Sequence, residues 1–179
     1  MAGCEVRLSG AGGQGLILSA RILAEALVAA GKTVAQSQSY EPTSRGGLSR
    51  ADLVIDDDAA DYPLASELDY LVILDQCAVG ASRGMIKDDA TVVADARYVT
   101  DPPTGPFRLA ALPLTETAAR LGSNRVANIV ALGALIGLSR MCDRESLEGA
   151  LKSRAPKALL DLNLEALNQG YELAAALPE

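Results

Sequence analysis

The chain has 179 residues, of which 49% are hydrophobic and 22% charged, with a net charge of −7 and no histidine. That length suits one domain burying about 70% of the surface its unfolded form exposes, and the apolar share excludes global disorder. A negative balance with no Lys/Arg cluster excludes a nonspecific nucleic-acid binder, and without histidine, proton transfer near neutral pH would fall to carboxylates, Lys, Cys or Tyr.

Residues 5–9 read as a short strand, followed at 9–15 by SGAGGQG, four glycines in seven residues. From Gln14 onward the polar residues Gln14, Arg21, Glu25 and Lys32 project within about 20° of one line at 100° per residue, so the helix they define is apolar over most of its surface. Gly31 is placed to end that helix in the left-handed conformation, and residues 33–37 begin a second strand. A strand, glycine turn, helix and strand read as a βαβ unit with parallel pairing.

The segment SYEPTSRGGLSR that follows has a proline, two glycines and no helical period. It is too short for a helical crossover, so the third strand, residues 51–55, is expected to run antiparallel. Residues 70–74, 91–95 and 108–112 read as further strands, with a short helix over 78–85. Helices are expected over 115–121, 124–140, 144–153 and 160–177. The expected architecture is a single α/β domain over residues 1–179, Rossmann-like and three-layered, with a mixed, mainly parallel sheet and a helical C-terminal part.

Gly10, Gly12 and Gly15 match G-x-G-x-x-G between a strand and a helix, where backbone N–H groups favour an anion. A dinucleotide site also needs an acidic residue about 20 positions on, and that region reads Gln36, Ser37, Gln38, Ser39. The alternatives are an anion site of another kind and a ligand-free turn. Arg45, Gly46 and Gly47 in the second loop offer a guanidinium beside exposed N–H groups. That loop and the glycine turn are expected at the same end of the sheet.

Gly133 and Gly137, four apart on a nearly all-apolar helix, suit close helix packing within the domain or at a subunit interface. Asp56, Asp57, Asp58 and Asp61 read as an acidic turn rather than a metal site. Cys4, Cys77 and Cys142 form no CxxC pattern, so neither a disulfide framework nor a zinc or iron–sulfur site is expected. No catalytic residue stands out. The N-terminus lacks a basic segment followed by a long apolar run, and the longest uncharged stretch, 126–139, falls short of the ~18 residues of a membrane span, so a cytoplasmic protein without a membrane anchor is expected.

GAGGQG at 10–15 with LAEALVAAG behind it, SYEPTSRGG at 39–47, NIVALGALIG at 128–137 and NLEALNQGY at 163–171 together resemble the gamma subunit of 2-oxoacid:ferredoxin (acceptor) oxidoreductases. The family usually has Gly-Pro-Glu after Ser-Tyr in the second loop, where this chain has Glu41, Pro42 and Thr43. The resemblance implies a subunit of an enzyme that oxidatively decarboxylates a 2-oxoacid to its acyl-coenzyme A and reduces ferredoxin. In such enzymes thiamine diphosphate lies between alpha and beta subunits, and iron–sulfur clusters lie in beta or delta chains. On this reading the chain holds no cofactor firmly, is itself non-catalytic, and docks the alpha, beta and any delta subunits. Gly10, Gly12, Gly13, Gln14, Gly15, Arg45, Gly46 and Gly47 form the docking and coenzyme A surface. The first helix, with little polar surface for a monomer, is expected to face a partner, and the isolated chain has a homodimer open to it. The rival readings are a free-standing nucleotide-binding dehydrogenase and a ligand-free scaffold. The resemblance leaves the 2-oxoacid open, with chain length leaning toward the 2-oxoglutarate type.

Overall fold

In the computed structural model, residues 3–41, 46–57 and 62–178 are described. Their elements in chain order are β1 (Cys4–Ala11), α1 (Leu16–Ala29), β2 (Thr33–Tyr40), β3 (Leu48–Asp56), β4 (Leu68–Ile73) and a 3-10 helix (Gln76–Ser82). Then come β5 (Ile86–Asp95), β6 (Arg108–Leu112), α2 (Leu114–Arg120), α3 (Ala127–Ser139), α4 (Arg144–Arg154) and α5 (Leu160–Ala175). The strands lie in the order β2-β3-β1-β4-β5-β6.

β1, β4, β5 and β6 pair in parallel, while β3 runs antiparallel to both β1 and β2. The antiparallel third strand agrees with the sequence expectation. The expected parallel pairing of β1 with β2 does not form. β1 and β2 point the same way, but β3 turns back through a short loop and takes the place beside β1. The second strand is thereby pushed to the sheet edge.

One face of the sheet, with Val6, Leu8, Leu53, Val72, Val93 and Ala110, meets the helical layer in a continuous core. The other face carries Leu71, Ile73 and Val92 beneath a thinner layer that includes the 3-10 helix. Arg7 and Asp52 are also on this face, as a buried two-pronged ion pair with Nε–Oδ1 2.7 Å and Nη2–Oδ2 2.8 Å. The third guanidinium nitrogen donates to the Ala81 carbonyl (3.2 Å) and Ser82 Oγ (3.3 Å), tying the 3-10 helix to the sheet. A charge so enclosed is tolerable only because it is paired with Asp52 and each guanidinium nitrogen donates at least one hydrogen bond.

The expected helix at 78–85 is this 3-10 helix, started by Asp75, whose side chain accepts from the Cys77 N–H at 3.0 Å. The helix expected over 124–140 begins as a short 3-10 turn, Asn124–Val126, before α3. The first helix buries one side inside the domain and leaves Leu18, Arg21 and Val28 exposed. Leu16, Ile22, Leu23 and Leu27 are buried, and α4 packs over α1 with an Arg154 Nε–Glu25 Oε2 contact of 2.5 Å. That hydrogen bond holds the Glu25 carboxyl below the usual carboxylate range.

Gly133 and Gly137 serve packing within the domain. A Cβ on Gly133 would lie 2.2 Å from the Leu167 carbonyl oxygen, and one on Gly170 would lie 2.1 Å from that of Val130. Helices α3 and α5 meet along this seam of bare backbone.

Candidate functional site: the glycine turn and its cleft

The turn after β1 is held by the side chain of Gln14. Its Oε1 accepts from the Ala11 N–H (2.8 Å), and its Nε2 donates to the Leu74 carbonyl (3.2 Å). Gln14 therefore bridges the C-terminal ends of β1 and β4, and α1 starts at Leu16 rather than at Gln14 as the periodicity predicted. Gly10 makes this possible, because a Cβ there would come 2.3 Å from Gln14 Oε1. Gly15, at φ +75°, is the residue before α1, and among the described residues no side chain caps the helix. With no acidic residue in the first turn either, the partial positive charge of the helix start is left to whatever lies in front of it.

The second loop reaches the same end of the sheet. Gly12 donates its N–H to the Gly47 carbonyl at 2.8 Å, and Gly46 has a φ of +93°. Arg45 lies outside the described residues, as do Asp58 and Asp61 of the acidic turn. Asp57 is paired with Lys32, and no group of three metal-ligating side chains occurs among the described residues.

From β1 the chain goes through α1 toward β2, and from β4 it goes the other way to β5. The carboxyl ends of β1 and β4 thus flank the topological switch point where open α/β sheets form their ligand crevice. A cleft of about 240 Å³ opens there, lined by Gly13, Gln14, Leu74, Tyr98, Thr115 and Arg125. A second, of about 320 Å³, shares Gly13 and Arg125 with it and runs between Leu18, Asn128, Leu159 and Leu162. The exposed Arg125 stands between the two. Asn128 is 5% exposed and donates through Nδ2 to the Gly15 carbonyl and Ser19 Oγ, both at 3.0 Å, while its Oδ1 has no partner among the described residues.

The sequence profile of pyruvate ferredoxin/flavodoxin oxidoreductases matches residues 5–173. The chain belongs to this family. It is a gamma-type subunit of a 2-oxoacid:ferredoxin oxidoreductase. The chain is 40% identical over 177 residues to the 2-oxoglutarate synthase subunit KorC of Methanocaldococcus jannaschii, covering 97% of this chain and 95% of the relative. The gamma subunit of the keto/oxoacid ferredoxin oxidoreductase of Geobacter sulfurreducens is 39% identical and superposes with a TM-score of 0.86, covering 97% of this chain and 99% of that one. The 2-oxoglutarate:ferredoxin oxidoreductase of Magnetococcus marinus, solved with 2-oxoglutarate, coenzyme A and succinyl-CoA bound, superposes at 0.89 with 26% identity. The match covers 99% of this chain and 32% of the larger one.

The gamma subunit departs from a dinucleotide fold for a topological reason. Gln36 to Ser39 lie on β2, with β3 between them and β1, so their distance from the glycine turn is two strand spacings, about 10 Å. An acid in β2 would therefore not stand beside the turn as it does in a Rossmann unit. Burial is the leading cause that pushes the Cys4 and Cys142 thiols up to about 11. Of the residues named from the sequence, Gly13, Gln14 and Gly15 line these clefts, and Arg125 and Asn128, which line them too, were not named. Both fell within the helix read over 124–140, and the one available signal was an amide at Asn128 beside an aliphatic run.

Proposed function

We propose that this gamma subunit does no chemistry of its own. It docks the catalytic subunits of the complex through the glycine turn and the second loop, and lines part of the path of coenzyme A. The residues are Gly10, Gly12, Gly13, Gln14, Gly15, Arg45, Gly46 and Gly47, joined by Arg125. The observation that carries this reading is the uncapped start of α1 facing the switch-point cleft, with the exposed Arg125 on its rim. Together these make a site for phosphate, with apolar walls at Leu18, Leu159 and Leu162 beside it for an uncharged arm. The Magnetococcus marinus relative, whose structure contains coenzyme A, supports the same reading. Thiamine diphosphate and iron–sulfur clusters belong on this reading to the partner chains, and the complex is cytoplasmic.

We also propose 2-oxoglutarate as the complex's 2-oxoacid, because relatives at 40% and 36% identity are 2-oxoglutarate synthase subunits. The purified complex, offered a panel of 2-oxoacids, should reduce viologen fastest with 2-oxoglutarate in the presence of coenzyme A. Arg125→Ala and Arg45→Ala in the assembled enzyme should raise the KM for coenzyme A about tenfold, with kcat largely kept at saturation, as expected for loss of a charge-assisted phosphate contact. An unchanged KM for coenzyme A together with unchanged co-purification of the partner subunits would remove this proposal.

A further inference from the structure

The two edges of the sheet are built differently. β6 is five residues long, begins with Arg108, and has the Arg108 guanidinium tied to the Pro178 carbonyl at 2.8 Å. β2 is eight residues long, reads TVAQSQSY, and contains no charge, proline or glycine. All eight residues are in unbroken register with β3. Natural edges are normally blunted by charge, proline, a bulge or a covering segment, and β2 has none of these among the described residues.

Which backbone groups face outward follows from the ladder. Glu41 donates its N–H to the Leu48 carbonyl at 2.9 Å, so in the alternation of an antiparallel pair the odd residues of β2 bond to β3. The N–H and C=O groups of Val34, Gln36, Gln38 and Tyr40 therefore point away from the sheet. We propose that this edge pairs with the same edge of a second copy, antiparallel about a two-fold axis through Ser37.

Symmetry makes the assignment specific. A two-fold axis perpendicular to the sheet keeps each face continuous, so partners must share parity. Only the register centred on Ser37 joins all four outward-facing residues among themselves. Val34 then opposes Tyr40 of the second copy, Gln36 opposes Gln38, and Ser37 opposes itself in a non-hydrogen-bonded site. Val34 with Tyr40 is a favourable β-branched–aromatic cross-strand pair, and it would cover Tyr40, which is 65% exposed. Within the strand no like charges meet. The two chains, each at −7, repel at long range, so pairing should strengthen as salt is added. The interface joins two six-stranded sheets into one, and its contacts are isologous.

The test uses the full chain. Sedimentation velocity should show a dimer whose population rises with protein concentration and with salt. Gln36→Pro removes one outward N–H from each copy without touching the bonds to β3, a position where an edge strand accepts proline. It should weaken self-association about tenfold, with an unchanged melting curve at a protein concentration low enough that the chain is monomeric. Ser37→Cys, made with Cys77→Ser to remove the exposed thiol, should form a disulfide-linked dimer on oxidation. A non-hydrogen-bonded pair holds its Cα atoms about 4.5 Å apart, inside the disulfide range. The proposal fails if the chain is monomeric at every concentration, if Gln36→Pro leaves the dimer unaffected, or if two copies of the Ser37→Cys variant do not cross-link to each other. Cross-linking of the Ser37→Cys variant in the assembled complex to a different subunit alone would also overturn it, reassigning the edge to that subunit.

Discussion

Two groups of glycines in this gamma subunit do opposite work. Along the α3–α5 seam, Gly133, Gly137 and Gly170 have ordinary helical backbone, and what matters is the volume a side chain would take up. In the turn after β1, Gly13 and Gly15 have φ of +93° and +75°, and Gly12 and Gly13 are exposed with open space or ordinary contact around them. One group is defined by what already touches it. The other is defined by backbone shape, with Gly12 and Gly13 open to solvent. A glycine count alone does not separate the two, but the surrounding atoms do.

The largest effect should come from the seam. Gly133→Ala or Gly170→Ala forces a methyl into a backbone carbonyl, which cannot swing aside as a side chain can. Each should cost about 3 kcal/mol in chemical denaturation, at the upper end for overpacking. A loss below about 1 kcal/mol, on the order of an exposed helix substitution, would mean the helices separate easily and the seam is looser than its geometry.

Gly15→Ala probes the other group and should cost about 2 kcal/mol. Part is the left-handed conformation, and part is the displacement of Asn128, whose Nδ2 would lie 2.5 Å from the new Cβ. The matching measurement in the assembled enzyme is the KM for coenzyme A, which should rise because Asn128 lines the cleft. A stability loss with the KM untouched would make Gly15 a packing glycine like those of the seam.

Gly149→Ala supplies the reference point. Gly149 lies inside α4, exposed, with nothing within 4 Å of an added Cβ. Alanine should stabilise by about 0.5–1 kcal/mol, chiefly by restricting the unfolded chain. Thermal melting of this variant calibrates the cost seen at the other positions.

Much of the layout was legible because it rests on short-range patterns. The strand before the glycine turn, the left-handed Gly31, the antiparallel third strand and the amphipathic last helix all follow from periodicity, turn residues and loop length. The order of strands was not legible. Periodicity reports which residues are buried, not which edge a strand joins, so β3 inserting between β1 and β2 left no trace in the sequence. The Arg7–Asp52 pair was hidden for the same reason, since its partners are brought opposite each other only by that insertion. In the site, the glycines were visible as punctuation, whereas Arg125 and Asn128 depend on how α3 is docked across from α1.

The smallest expected effect on stability is the most informative about function. Gly12 is exposed, has no positive φ, and an added Cβ would lie 3.6 Å from the Gly47 carbonyl oxygen, an ordinary contact. Gly12→Ala should therefore change the stability of the isolated chain by no more than about 0.5 kcal/mol. If the turn approaches another subunit through bare backbone, one methyl there should still weaken co-purification of the partner chains. Loss of assembly with an unchanged melting curve would place the demand for glycine outside the chain. If assembly and melting both stay as they were, Gly12 is a glycine by the needs of the turn alone, and the docking surface must lie elsewhere.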